Sequence, residues 1–286
     1  MPELPTHFTL PEGTVPPERP ATPKDAATVM LLRDGPDSIE VFLLRRVTGM
    51  AFAGGMTVFP GGGVDQRDAE ASIAWVGPSA DEWARRFDCS PRVARALVCA
   101  AVRETFEESG VLLAGTDEAG VVGDTAQYAD ARESLVQREI SLAEFLDKAG
   151  LVLRADLLRP WANWLTPEVE ARRYDTRFFV AKLPTGQRAD GVTSEADHVT
   201  WRSPADALAD WRAGQCRLLP PTWTTLAELT EFDTVAEAMA ARRSISKLMP
   251  KVVPDGDKLR VVLPGAPEYE RAASHLDPPP APPANS

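Results

Sequence analysis

Between Ser90 and Gly110 the sequence spells out one helix with both ends marked. Ser90 is a good N-cap and Pro91 suits the first helical position. Gly110 is a natural C-terminal stop. Inside this stretch Glu104, Glu107 and Glu108 stand at i, i+3 and i+4, so their side chains share one face. Val98, Val102 and Phe106 fall roughly opposite and are expected to pack inward. Like charges at this spacing repel, and Arg103, i,i+4 to Glu107, offsets part of the repulsion. A divalent cation would relieve the rest, and clustered hard oxygen ligands suit Mg2+ or Mn2+. By spacing alone the same residues also fit a solvated acidic face. The chain therefore needs a fold that buries one side of this helix. The context that separates the two readings is the glycine-rich turn Pro60–Gly63, whose backbone can approach a metal or phosphate closely.

Around that helix, periodicity places the other elements. Residues 26–33 and 39–46 read as a hairpin across Asp34-Gly35-Pro36-Asp37. Residues 49–55 read as a loop, and Thr57-Val58-Phe59 as a short strand. A helix starting at Ser79 has Trp83 and Phe87 on its buried side. Residues 128–149 look helical with a break near Ser141. Residues 177–183 and 198–201 look like strands. Helices follow from Ser203-Pro204 to Arg212, from Pro220, and over 233–243. Residues 1–23 are proline-rich and read as an extended arm. From 250 to 286 the proline-rich composition reads as a disordered tail. That leaves a domain over 24–249.

The chain has 286 residues, 44% hydrophobic and 26% charged, ample for a sizeable core. Its net charge of −11 argues against general nucleic-acid binding. No apolar run is long enough to span a membrane, and the N-terminus does not look like a signal peptide. The three cysteines, Cys89, Cys99 and Cys216, have neither disulfide-framework nor zinc-site spacing and suggest a reducing compartment. A cytoplasmic location is expected, and Ala284-Asn285-Ser286 is no S-K-L address. A homodimer stays open.

The residues R-E-x-x-E-E-x-G-U over 103–111, with Thr105 at the first aliphatic position, resemble the second half of the Nudix box, G-x5-E-x7-R-E-U-x-E-E-x-G-U. Gly62 in FPGG matches its leading glycine. The first glutamate of the box departs: counted forward from Gly62 it falls on Asp68, and counted back from Arg103 on Arg95. The box is thus split by an insertion at about 69–95. That split resembles the coenzyme A diphosphatase branch of the family. So do FPGGGVD at 59–65, RETFEESGVLL at 103–113, RRYDTRFFVAKLP at 172–184 and LPPTW at 219–223. A coenzyme A signature upstream of FPGG is matched at Arg46 and Gly55 but not at Val47 or Ala51.

The resemblance implies an α+β Nudix fold: a mixed β-sheet sandwiched between α-helices, with a helical insertion and C-terminal helices. It implies Glu107 and Glu108 as metal ligands and Glu104 as a third ligand or water-orienting group. Gly62 would offer its carbonyl, and Arg103 would hold the glutamates. Glu195 is the candidate metal ligand or general base from a later loop, with Asp197 next. Arg46, Arg172 and Arg173 are candidate substrate contacts. For Arg172 and Arg173 a structural ion pair is the equal alternative. His198 and the tryptophans, among them Trp161, Trp164 and Trp201, read first as structural. The implied activity is hydrolysis of coenzyme A or acyl-coenzyme A to adenosine 3′,5′-bisphosphate and (acyl-)phosphopantetheine. The alternatives are a pyrophosphatase for ADP-ribose, NADH or another nucleoside diphosphate derivative, and a non-catalytic binding or regulatory module.

Overall fold

The computed structural model describes residues 7–8, 19–50, 53–70, 73–116, 120–255, 258–266 and 269. The rest of the arm and of the tail, and Ala51, lie outside the described residues. The chain divides into two units. The larger comprises 24–164 and 174–247, the smaller 1–23, 165–173 and 248–286.

The larger unit is built on a mixed sheet. Strand β1 (Lys24–Asp34) and strand β2 (Ile39–Arg46) form the expected hairpin, but they pair only at the turn, from Leu32↔Val41 to Asp34↔Ile39. Away from the turn two short strands take their place. Strand β3 (Thr57–Val58) pairs with β2, and strand β4 (Gly61–Gly63) pairs with β1 at Ala27↔Gly62. Gly61 is required at this approach, because a Cβ there would stand 2.5 Å from the Ala27 carbonyl oxygen. Strand β5 (Leu158–Leu165), strand β6 (Tyr174–Lys182) and strand β7 (Ala196–Arg202) complete the long members, in the order β7-β2-β1-β6-β5. β6 runs parallel to β1, whereas β7 is antiparallel to β2. β5, with Pro160 inside it, is a strand that residue periodicity did not predict.

Helix α1 (Ala80–Phe87) starts at a Ser79/Glu82 capping box and buries Trp83, Ala84 and Phe87. Trp83 and Phe87 both meet Phe179 of β6, with ring centroids 5.5 and 5.1 Å apart. The insertion at 69–95 is therefore part of the core. Its last residues are the first turn of helix α2 (Pro91–Ser109), capped by Ser90 as expected and closed by Gly110 at φ 72°. Val98, Val102 and Phe106 are buried. Helix α3 (Ala129–Val136) and helix α4 (Leu142–Ala149) fill the region expected to be helical, and Ser141 at the break is the N-cap of α4. A small sheet, centred on Val152–Arg154, joins Trp75–Val76 of the insertion to Ala114–Gly115 beyond α2. Helix α5 (Pro204–Arg212) and helix α6 (Pro220–Leu229) start at the expected prolines, and helix α7 (Val235–Ala240) is shorter than the 233–243 expected. Among the described residues no helix is long and apolar enough to cross a membrane.

The smaller unit corrects two expectations. Residues 251–262 are not an unstructured tail: Lys251–Asp255 and Lys258–Val262 pair antiparallel, and His7–Phe8 of the arm adds a third strand. The β-branched pairs Val252-Val253 and Val261-Val262 outweigh the local prolines. Residues 165–173 also group with this unit rather than with the domain expected over 24–249. Arg173 explains part of that. It is buried, and its guanidinium donates to the carbonyls of Thr166 and Ala21 and meets Met249 Sδ. The donors of Arg173, an expected substrate contact, thus serve neighbouring backbone and a methionine sulfur.

Candidate functional site

The last two turns of α2 deliver the predicted carboxylates. Glu108 is 3% exposed, and its Oε2 accepts from the Gly61 amide at 2.7 Å. Glu104 stands so close to β4 that a Cβ on Gly62 would fall 2.5 Å from its carboxylate. The glycine-rich strand and the acidic helix face are thus in contact, and a side chain at 62 would displace the Glu104 carboxylate.

Arg103 organises the other side. Its Nη1 lies 2.7 Å from Glu104 and 3.1 Å from Glu107, its Nη2 donates to the Gly63 carbonyl at 2.9 Å, and its Nε to Asp68 at 3.0 Å. Asp68 is 2% exposed. The position where the split box departs from its pattern is therefore filled by the forward count: Asp68 is the acid that holds Arg103. Arg95, the backward count, instead donates to the Ile73 carbonyl and stacks over Trp75. Burial alone would lower the affinity of Arg103 for its proton, but Glu104, Asp68 and Glu107 together raise it.

The glutamates are less well compensated. Burial pushes Glu104 up to about 7, with Arg103 opposing and the Glu107 and Glu195 charges adding to the rise. Glu107 is raised by burial, against Arg103. Glu108 is raised well above its ordinary range by burial and then by the Glu104 charge, despite the Gly61 hydrogen bond. Such an excess of buried negative charge suits a hard divalent cation. Among the described residues, no group of three or more acidic, His or Cys side chains already stands as a closed ligand set. Glu104 and Glu107 are both turned onto Arg103.

Glu195, next to the start of β7, reaches the same cluster. Arg46 bridges it: Nη2 is 3.0 Å from Glu195 and Nη1 3.8 Å from Glu108. Glu195 has 46% of its side chain exposed, unlike the helix acids. Asp197, the second choice, pairs instead with Arg45 at 2.6 Å. Alternation along β2 puts Arg45 and Arg46 on opposite faces of the sheet. A cavity of about 320 Å3 lies on the Arg45 face, lined among others by His198, Thr200, Arg202 and Cys216, and contains none of the glutamates. Arg172 is exposed. Trp161 and Trp164 are buried in the core, and Trp201 lies edge-on to Phe42 and under Arg33.

Two residues with no sequence signal complete the surroundings. Arg132 of α3 donates from Nε to the Glu107 carbonyl at 3.1 Å, and from Nη1 to Asp190 at 2.8 Å. Both lie outside the box motif.

Comparison with known proteins finds a family and several relatives. The family model described as the NUDT19 Nudix domain matches residues 80–229, just over half of the chain. A Xenopus laevis protein named acyl-coenzyme A diphosphatase NUDT19 is 25% identical over 273 residues, covering 79% of this chain and 70% of that protein. The human protein of the same name is 24% identical over 315 residues, covering 94% and 79%. A crystal structure of a NUDIX hydrolase from Alicyclobacillus acidocaldarius superposes with a TM-score of 0.64 at 29% identity, covering 78% of this chain and 98% of that one.

Proposed function

The chain belongs to the NUDT19 Nudix domain family, and from that premise we propose that this Nudix hydrolase cuts the diphosphate of coenzyme A or an acyl-coenzyme A. The products are adenosine 3′,5′-bisphosphate and phosphopantetheine or its acyl thioester. The relatives named for that activity match most of the chain. The observation that carries the reading is the carboxylate cluster at the C-terminal end of the family helix, with Glu104 against Gly62 and buried Glu108 on the Gly61 amide.

Nudix hydrolases generally use divalent metal ions. Here Glu104, Glu107, Glu108 and the Gly62 carbonyl would hold them, and carboxylate hardness favours Mg2+ or Mn2+. A bound cation supplies neutralisation of the charge that develops on the phosphate oxygens. The chain's own residues do the rest. Water adds to one phosphorus and a bridging P–O bond breaks, so the water's proton needs an acceptor. Glu195 is the acid with solvent access and is assigned that role, or that of a further ligand. Arg103, locked by Asp68 and the Gly63 carbonyl, fixes the glutamates. Arg46 is the substrate contact, because a guanidinium already set between Glu108 and Glu195 can read phosphate oxygens beside them.

The test is turnover with Mg2+ or Mn2+ across coenzyme A, acyl-coenzyme A, ADP-ribose, NADH and dinucleoside polyphosphates. Coenzyme A or its acyl esters should be preferred. Much faster cleavage of ADP-ribose would overturn the substrate assignment. No turnover of any would overturn the enzyme reading and favour a binding module.

A further inference from the structure

The loop between β6 and β7 carries Glu195, and it is tied to the far end of α2 by the Asp190 amide and by one arginine. Arg132 comes from α3, outside the motif. Its Nε donates to the Glu107 carbonyl at 3.1 Å, one of the last carbonyls of α2. Such carbonyls lack intrahelical partners and favour a cation. Its Nη1 donates to both Asp190 oxygens, at 2.8 and 3.0 Å. Asp190 in turn folds the loop. Its amide donates to the Ser109 carbonyl at 2.9 Å, and its Oδ1 accepts from the Val192 amide at 3.0 Å.

Gly110 leaves room for this pair. A Cβ there would stand 2.8 Å from Arg132 Nη1 and 2.9 Å from Asp190 Oδ2, besides straining a φ of 72°. The Gly110 that ends the helix is thus also the gap through which the clamp closes.

Stability alone is a poor account of such an arginine. Its side chain is 10% exposed, while its carboxylate partner Asp190 is 44% exposed. Arg132 Nη2 is buried with no hydrogen-bond partner among the described residues, which costs free energy. What the contacts do accomplish is geometric. They fix the residues just before Glu195 to the backbone of Glu107.

We propose that Arg132 is a positioning residue, which through Asp190 and the Glu107 carbonyl holds the Glu195 loop in register with the glutamates of α2. The assignment rests on the proposed coenzyme A hydrolysis only for its kinetic readout.

The experiment compares Arg132→Lys, Asp190→Asn and the double variant with the wild type. A lysine keeps the charge but not the fork, so it cannot hold both partners at once. Arg132→Lys should lower kcat for coenzyme A about 10- to 100-fold while KM moves about twofold or less, as expected for misplacement at the reacting centre. Asp190→Asn should do the same, and the double variant should be no worse than the more severe single. Hydrogen exchange at the amides of 190–196 should quicken in both single variants, with the first half of α2 unchanged. That second reading needs no turnover, so a wild type that ignores coenzyme A sinks the substrate assignment and leaves the clamp testable. Wild-type kcat in Arg132→Lys, additive losses in the double variant, or unchanged exchange at 190–196 would each overturn the proposal.

Discussion

At the scale of single residues, the site depends on one missing side chain. Gly62 is where β4 comes closest to α2, and its absent Cβ makes room for the Glu104 carboxylate. Gly62→Ala puts a methyl 2.5 Å from that carboxylate, so Glu104 must swing away or the strand must retreat. Because Gly62 has no positive φ, the backbone itself tolerates alanine. The expected outcome is a folded protein with a kcat for coenzyme A reduced about 100-fold, in line with the cost of ångström-scale misplacement. Circular dichroism and steady-state kinetics check both halves; wild-type kcat in this variant refutes the close packing as functional. Glu108→Gln keeps the acceptor for the Gly61 amide and removes the charge. It should abolish turnover while leaving the melting temperature equal or higher, because a buried uncompensated carboxylate is lost. The three glutamates were readable from sequence because their spacing is local, whereas Gly62, across the insertion, was readable only through the resemblance to the split box. Asp68 was one of two numerical options, and only the fold chooses between it and Arg95. Arg132 and Asp190 could not be read at all. Their partners are a backbone carbonyl and each other, 58 positions apart, and neither periodicity nor motif spacing registers such a pair.

At the scale of elements, the helices were legible because their ends are chemical events. Ser90, Ser141 and Ser203 each cap a helix through a hydrogen bond made within four residues. The strand β5 was not, since Arg159-Pro160 interrupts its pattern and its burial is set by neighbours distant in sequence. The hairpin of residues 251–262 was hidden for a related reason: proline content described the segment, whereas pairing partners decided it. The insertion shows the same dependence on partners. Spacing revealed that the box is interrupted but not what the interruption packs against. α1 proves to be a core element, with Trp83 fully buried against Phe87 and Phe179. Trp83→Ala should therefore destabilise the protein by about 3–5 kcal/mol. Urea unfolding measures this; a loss under about 1 kcal/mol would mean that α1 is dispensable to the core and belongs to a detachable cap.

At the scale of the whole molecule, the carboxylate cluster links stability, pH and metal. Glu104 has an ordinary value of 4.5 and is pushed up to about 7 in the fold, chiefly by burial. Below 4.5 both folded and unfolded chains hold this proton. Between 4.5 and about 7 the folded chain holds it and the unfolded chain has released it. Stability contributed by this group therefore falls as pH rises through that window, and the deficit persists above it. Glu107 and Glu108 shift in the same direction. Asp65, held down to about 2 by Arg67, acts only below this window and with the opposite sign. In EDTA the melting temperature should thus be higher at pH 5.5 than at pH 8, and the difference should shrink in Glu104→Gln. A divalent cation competes with those protons, so Mg2+ or Mn2+ should stabilise more at pH 8 than at pH 5.5. At a hundredfold excess over its Kd the gain is about 2.7 kcal/mol. The general repulsion of a chain with net charge −11 also eases on acidification, but it is spread over the surface and survives replacement of one glutamate. The variant separates the two. If Glu104→Gln keeps the full wild-type pH dependence in EDTA and the full response to metal, the cluster at the end of α2 is not where protons and cations compete.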